Sequence, residues 1–536
     1  MTPFESAIDP QSDSFNTNCE SMQDYLDAFL TVKQTVRDTE LKASEKYHKR
    51  GKLLPSERLN LLLDPGSDFV ELCGLAGYMM DDDQDGSLAG GGLISGIGTV
   101  CGRLCIVQVN NYAIKGGTIS PAGLKKTLRI QQIARDKNLP LITLAESGGA
   151  NLNYATEVFI AAGEAFANQA RLSAYGIPQI TVVHGNATAG GAYQPGLSDV
   201  IIAIRGKAKM FLAGPPLLLA ATGEVATDEQ LGGAEMHATE AGTADFLAED
   251  DADGIRIARN VVQSLPEDNW QAPDAAYDDP LYPAAELCGV VPHDAKTPYD
   301  VHEIITRIVD GSECNDFKPE FDHQTVCTFC QIGGVRVGII GNNGPITANG
   351  ANKATQFIQL CDQNNIALLF LHNTTGFMVG TEAEKSGIIK HGSKLIQAVA
   401  NTQMPKISVV VGGSYGAGNY AMCGRGLNPD FILAWPNSRT AVMGGTQAGM
   451  VLRIVAEEKQ RRMGIDPDQN QLEQIQTIAE DKINQGSTAL FGSAHQWDDG
   501  LINPADTRWI LIKLLQVCER AKQTERRPSS FGVARF

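Results

Sequence analysis

The stretch Gly176-Ile177-Pro178-Gln179-Ile180-Thr181-Val182-Val183-His184-Gly185, followed by Ala189-Gly190-Gly191-Ala192-Tyr193, has a counterpart later in the chain. It is Gln403-Met404-Pro405-Lys406-Ile407-Ser408-Val409-Val410-Val411-Gly412, followed by Gly416-Ala417-Gly418-Asn419-Tyr420. Pro178 and Pro405, Gly185 and Gly412, and Tyr193 and Tyr420 each stand 227 positions apart. Each copy is a short apolar run entered through a turn and left through a glycine cluster, the pattern of a buried parallel strand feeding a helix. Upstream, Gly148 pairs with Gly376, and Lys125 with Lys353, both at an offset of 228. So steady an offset from Lys125 to Tyr193 marks one β/α unit used twice.

Outward from this core, the β/α rhythm begins near residue 90, as in Leu104-Cys105-Ile106-Val107-Gln108-Val109 and Leu139-Pro140-Leu141-Ile142-Thr143-Leu144. The opening sixty residues read as helical and stop at Asp64-Pro65-Gly66. Six prolines between Ser264 and Pro298 break both helix and sheet and mark a linker. The expected segments are 1–65 helical, 66–264 the first β/α domain, 265–300 the linker and 301–536 the second domain. The latter closes with a charged helical tail over Arg453–Gly464 and Gln469–Asn484. A chain of 536 residues is long enough for two such cores.

The 44 basic and 62 acidic residues leave a net charge of −18, so no broad basic field exists for nucleic acid or an anionic membrane surface. Any anionic ligand must be met locally. No leader or spanning segment is legible, which predicts a soluble cytoplasmic protein. Eleven scattered cysteines fit free thiols. Cys327-Thr328-Phe329-Cys330 has metal-like spacing but reads as a strand, and no metal site is expected.

The 55 glycines exceed the usual share of about 7%. In an open β/α sheet, ligands lie beyond the carboxyl ends of the strands, so each half gathers two glycine turns at one crevice. Glycine lets backbone N–H groups reach a ligand oxygen, and two inward donors per half would make two oxyanion holes. Gly416-Ala417-Gly418-Asn419-Tyr420-Ala421 comes near a dinucleotide fingerprint but lacks its downstream acid, and no P-loop is present. His184 and His372, placed in matching regions, could each be a base or a satisfied core histidine. Gly412-Gly413-Ser414-Tyr415-Gly416 matches a nucleophile elbow, yet only His495 follows it and Ala187 takes the place of Ser414 in the other half. Backbone donors with a base supplied from elsewhere suit this inventory best.

These residues resemble the carboxyltransferase (β) subunit of biotin-dependent acyl-CoA carboxylases over nearly the whole chain. The motifs that carry the likeness include Arg58-Leu59-Asn60-Leu61-Leu62-Leu63-Asp64, Lys115-Gly116-Gly117-Thr118, Glu146-Ser147-Gly148-Gly149-Ala150, Thr188 to Tyr193, Ala213-Gly214-Pro215-Pro216, Asn373 to Gly380 and Gly412 to Tyr420. The resemblance implies an α/β fold of two tandem crotonase-like (ββα-superhelix) domains, the first taking acyl-CoA and the second biotin. It also implies a β6 core, a biotin-carrying α partner in an α6β6 complex, and a site between the first domain of one subunit and the second of another. Carboxybiotin on the partner and coenzyme A in the substrate are the implied cofactors.

Within that resemblance, Gly148, Gly149, Gly190 and Gly191 would hold the acyl enolate, and Gly376, Phe377, Ala417 and Gly418 the biotin oxygen. Lys115, Lys125, Ala150, Ala167, Ala192 and Tyr193 would meet the acyl-CoA, with Lys126 a further candidate for its phosphates. Thr375, Tyr415, Gly416 and Asn419 would meet biotin. The wording looks like the 3-methylcrotonyl-CoA and geranyl-CoA branch, and Ala167 would deepen the pocket for the longer acyl group. Other acyl-CoA carboxylases, propionyl-type included, and a biotin-dependent decarboxylase subunit are the alternatives. Leu219, and Gly344-Pro345-Ile346-Thr347, depart from the family wording.

Overall fold

The computed structural model describes residues 2–212, 214–266, 277–294, 297–523 and 533. The described residues within Leu30–Gln271, Ala494–Gln496 and Val517–Phe536 form one compact unit, here the N-unit. Those within Met1–Phe29, Ala272–Ser493 and Trp497–Gln516 form the C-unit. Of the proline-rich stretch, 267–276 and 295–296 lie outside the described residues.

Each unit is built on an eight-stranded sheet. In the N-unit, β1 (Leu93–Val100) and β2 (Arg103–Asn110) form an antiparallel hairpin, and β3 (Leu141–Ser147), β4 (Gln179–Thr188) and β5 (Val200–Ile204) continue it in parallel. β6 (Lys209–Phe211) pairs with the end of β4, and β7 (Phe246–Ala248) with β5. The C-unit repeats the order: β8 (Thr325–Ile332), β9 (Val335–Asn342), β10 (Ala367–Thr374), β11 (Lys406–Tyr415) and β12 (Phe431–Ala434), with β13 (Arg439–Ala441) on the end of β11. All seven residues of β3 are buried, as a strand covered on both faces requires.

The helices that position the site are α1 (Asp13–Lys42), α2 (Pro55–Leu62), α3 (Pro121–Lys137), α4 (Ala155–Ala174), α5 (Gly190–Gly196) and α6 (Asp251–Gln263). In the C-unit they are α7 (Ala348–Gln363), α8 (Ile388–Asn401), α9 (Gly416–Ala421), α10 (Gly445–Arg462) and α11 (Gln469–Gly486). The opening helical reading is met by α1 and α2. Beyond α11 the chain returns to Thr507–Gln523, so the charged helices are not a tail.

The repeat is tighter than its sequence suggested. Ser120 and Thr347, each an N-cap, accept from Gly123 N–H and Gly350 N–H. Lys126 and Lys353 both send buried ammonium groups to main-chain carbonyls. Ser147 pairs with Ala187 across β3 and β4, and Thr374 with Ser414 across β10 and β11, each just past an irregularity. All these pairs stand 227 apart, so the 228 pairings are corrected: Gly376 corresponds to Gly149, and Lys353 to Lys126. His184 and His372 are not equivalents either, since they lie on β4 and β10, whose matching positions hold Val411 and Ala145.

The Arg58 motif explains the N-unit core. Leu59, Leu62 and Leu63 pack on Val107, Ile142, Val182 and Ile202, while Arg58 is fully buried between two carboxylates. Its Nη1 is 2.8 Å from Glu146 and its Nε 3.1 Å from Asp251, with Lys52 also on Glu146 at 2.6 Å. Asp64 accepts the Cys101 and Gly102 amides and an Arg259 bond, fixing the β1–β2 hairpin.

One expectation fails: Cys19 and Cys288 are joined in a disulfide, while the other nine cysteines are free. The pairing comes from α1 packing beside Leu287–Val290, a contact between residues 269 apart that spacing does not reveal. Cys327 and Cys330 lie on strand β8 and are buried. No described helix is long and apolar enough to cross a membrane.

Removing one partner of a buried ion pair leaves the other charged and unpaired. Arg58→Met is expected to destabilise the protein by about 3–5 kcal/mol. Replacing the exposed Arg256 should shift urea unfolding by no more than about 0.5 kcal/mol. Equal midpoints for the two variants would contradict this account of the core.

Candidate functional site

The site begins where β3 ends. Ser147 Oγ donates to Gly117 O at 2.9 Å and accepts from Gly149 N at 3.1 Å, folding the strand end into a turn. Gly148 N donates to Gly116 O. Ile119 then forms a parallel bridge: its N–H goes to Gly149 O, and its carbonyl takes Asn151 N–H. Backbone groups alternate in direction along an extended chain, so the intervening Ala150 N–H points away from Ile119, and no described group accepts it.

The second donor comes from α5. Ala189 sits at φ 52, ψ −122, a costly conformation for a residue with a Cβ, and turns the chain into Gly190 and Gly191. Their N–H groups open a helix, where no preceding turn supplies an acceptor. Gly191 packs tightly on the turn, since a Cβ would lie 3.2 Å from Ser147 Oγ and in contact with Gly149 Cα at 3.7 Å. Ala150, Gly190 and Gly191 thus face one cavity.

The C-unit repeats this construction. Thr374 Oγ1 donates to Gly344 O and accepts from Gly376 N, and Ile346 bridges Gly376 and Met378, leaving Phe377 N–H turned outward. Gly344 therefore does the work of Gly117 despite its different wording. Gly416, at φ 55, takes the place of Ala189, and a Cβ on Gly418 would lie 2.8 Å from Gly376 Cα. In both halves the outward amide lies one residue past the glycine: Ala150 and Phe377, with the Gly149 and Gly376 amides already spent.

The two halves differ behind these amides. In the N-unit a cavity runs between α3 and α4, lined by Leu124, Thr127, Gln131, Val158, Ala162, Ala165, Phe166 and Gln169. In the C-unit the residue equivalent to Ala150 is Phe377, and its ring lies 2.9 Å from where a Cβ on Gly392 would stand. Gly392 corresponds to Ala165, and the positions of Gln131 and Gln169 hold Ile358 and Ile396, both in or against one apolar cluster with Phe377. The ring fills in the C-unit what the N-unit leaves open.

The C-unit amides have other cavities beside them. Thr375 and Tyr415 line one of about 550 Å³ with Thr374, Gly412 and Gly413. Gly416, Ala417 and Asn419 line another of about 550 Å³ with Tyr420, Arg425 and Asp498.

Other sequence candidates fall into place or away. Ala167 and Ala192 do not line the N-unit cavity, and Tyr193 lies outside it, 48% exposed, its ring 5.7 Å from Phe166. Lys115 is half-exposed, 3.8 Å from the Asp82 carboxylate, in a run of left-handed residues with Gly116 and Gly117. Lys125 donates to His495 O, whereas Lys126 is buried on Leu93 O and Gly90 O, its pKa pushed down by that burial. Leu219 lies exposed on the helix Pro215–Thr222.

Burial, with Arg58 nearby, pushes His184 down to about 4, and burial does the same to His372. Both are therefore neutral and sealed from the cavities. Ser414 is also buried, bonded to His372 Nδ1 at 2.9 Å and to Asn419 Nδ2 at 2.8 Å, so it ties strand to helix and is closed to a substrate. The sequence reading missed Ser147, Thr374 and the glutamines. A hydroxyl two residues before each left-handed glycine was the available signal for the first two.

Residues 46–533 match the carboxyl transferase domain family. The chain is 44% identical over 538 residues to the probable biotin-dependent acyl-coenzyme A carboxylase beta2 subunit of Mycobacterium tuberculosis, covering 99% of this chain and all of that one. It is 45% identical over 485 residues to the biotin-dependent 3-methylcrotonyl-coenzyme A carboxylase beta1 subunit of the same organism, covering 90% and 91%. The beta subunit of Pseudomonas aeruginosa geranyl-CoA carboxylase superposes with a TM-score of 0.94 at 59% identity, each chain fully covered.

Burial pushes the Asp498 carboxyl up to about 7. Between the ordinary value of 3.8 and about 7 the folded state holds a proton that the unfolded state has lost, so stability falls as pH rises through that window. Asp498→Asn should raise the melting temperature at pH 8, with the gain shrinking toward zero near pH 4. A gain independent of pH would contradict the assignment.

Proposed function

This chain belongs to the carboxyl transferase family, and we propose that it is the β subunit moving CO2 from carboxybiotin to a β-branched, α,β-unsaturated acyl-CoA. Geranyl-CoA is the first substrate and 3-methylcrotonyl-CoA the second. The observation that carries the division of labour is the exchange of Ala150 for Phe377, with Gly392 in place of Ala165 against its ring. Two equivalent amide sites follow from one fold, yet among the described residues Phe377 packs into the place in the C-unit that the N-unit keeps as an apolar cavity between α3 and α4. An acyl tail needs that cavity; a ring delivered on a carrier arm does not.

The amides of Ala150 and Gly191 hold the thioester oxygen as charge gathers on it, each worth about 2.7–4 kcal/mol in a site of this kind. Those of Phe377 and Gly418 hold the urea oxygen of biotin, and their outward direction beside Tyr415 and Asn419 fits that group. Biotin, carried on the partner subunit, supplies the carboxyl group and the nitrogen that accepts the substrate proton. This chain need not supply a base, and its buried, neutral His184 and His372 agree with that. CO2 adds at the γ-carbon of the vinylogous enolate. Lys115 and Lys125 are the cations assigned to the CoA phosphates.

The same proposal includes a cytoplasmic α6β6 complex, with the N-unit of one copy completed by the C-unit of another. Exposed apolar residues recur at matching rims of the two units, Leu152 with Val379 and Tyr193 with Tyr420. The α10 face of Met450, Val451, Ile454 and Val455 is also exposed. Contiguous apolar surface of this kind marks a protein interface.

The test is to purify the chain with its biotinylated partner and follow labelled bicarbonate fixation with ATP. Geranyl- and 3-methylcrotonyl-CoA should be carboxylated well ahead of propionyl-CoA. No fixation on any acyl-CoA would overturn the function, and equal rates on propionyl-CoA the substrate branch. Ala150→Phe combined with Ala165→Gly, which copies Phe377 over Gly392, keeps the backbone amide but fills the cavity, and should strongly lower acyl-CoA-dependent fixation. Carboxylation of the partner's biotin and the melting temperature should stay unchanged.

A further inference from the structure

We propose that Gln131 sets the chemistry of the acyl tail, its amide oxygen accepting a hydrogen bond from a hydroxyl group at the tail's far end. This rests on the assignment of the acyl group to the N-unit cavity. The duplication provides an internal control. Gln108, Gln131, Gln169 and Gln194 border the cavity, while their C-unit equivalents are Ile340, Ile358, Ile396 and Ala421. The fold therefore needs no amide at these positions, and burying one without a full set of partners costs about 1–3 kcal/mol.

Three of these amides each donate one hydrogen bond within the protein. Gln131 Nε2 donates to Ala165 O at 3.1 Å, Gln169 Nε2 to Gln194 O at 3.0 Å, and Gln194 Nε2 to Thr181 Oγ1 at 3.1 Å. Gln131, only 4% exposed, is left with an Oε1 that has no partner among the described residues. A buried acceptor without a donor matches a ligand that brings one. Leu124, Thr127 and Gln131 share one face of α3, and at 1.5 Å per residue the stretch from Leu124 to Gln131 spans about 10 Å. Such a path exceeds the four-carbon main chain of 3-methylcrotonyl and suits a chain of geranyl length. The ligand class is thus a branched, unsaturated acyl-CoA whose terminal carbon carries a hydroxyl.

Calorimetric titration of the full chain with geranyl-CoA and with its terminally hydroxylated analogue tests the proposal without turnover. The hydroxylated ester should bind at least about tenfold more tightly, the size of one buried hydrogen bond. Gln131→Ile should remove or reverse that preference, and it is expected to fold because Ile358 fills the same place in the C-unit, which a melting curve checks. Equal affinities in the wild type, or a preference that survives Gln131→Ile, would overturn the inference. Fixation of labelled bicarbonate on geranyl-CoA by the complex tests the function separately. A binding preference with no turnover would refute the function and leave this inference standing.

Discussion

The site depends on one backbone bridge. Ile119 binds the carbonyl of Gly149 and the amide of Asn151, and alternation along an extended chain then forces the amide of Ala150 to face the other way. That amide is useful only if α5 begins close by, and the close approach rests on Gly149, whose Cβ would lie 2.9 Å from Thr188 O, with Gly191 packed tightly on Ser147. The hydroxyl of Ser147 holds the turn, and the strained Ala189 aims the helix. Remove the bridge and the other features lose their reason.

Built twice, the same device sits in different surroundings. The N-unit carries a buried charge network, Lys52, Arg58, Glu146 and Asp251, with the neutral His184 beside Asp251, directly beneath the turn. In the C-unit the place of Glu146 is taken by Asn373, and Gly185 and Gly412 make room for these side chains in turn. The N-unit also has six residues, Asn111–Gly116, where the C-unit has Asn343 alone. Lys115 lies in this extra segment and has no counterpart. Around the bridge the loop, the network and the walls differ, while the bridge geometry is kept.

Much of the fold was legible in the sequence because its signals are local. Apolar runs ending in glycine clusters named the strands and turns, and their repetition named the duplication. The glycines themselves were found, but which amides stay free was not, since Gly148 and Gly149 donate to Gly116 O and Ser147 Oγ across the turn. Ala167 looked like a cavity wall by family wording, whereas helix phase gives the wall to Ala162, Ala165, Phe166 and Gln169. The paired Lys candidates show the same limit: two adjacent lysines read alike, and only packing separates the exposed Lys125 from the buried Lys126.

The sequence by itself determined that two copies of a β/α unit exist, that each brings two glycine turns together, and that no broad basic surface assists binding. These follow from composition, periodicity and spacing, which are properties of the chain. Only the tertiary structure decided that the offset of 227 holds upstream as well, the disulfide of Cys19 with Cys288, the burial of Ser414 and both histidines, and the filling of one cavity by Phe377. The physical reason is that free donors, buried charges and empty volume are properties of contacts between residues far apart in the chain, and no single residue type declares them.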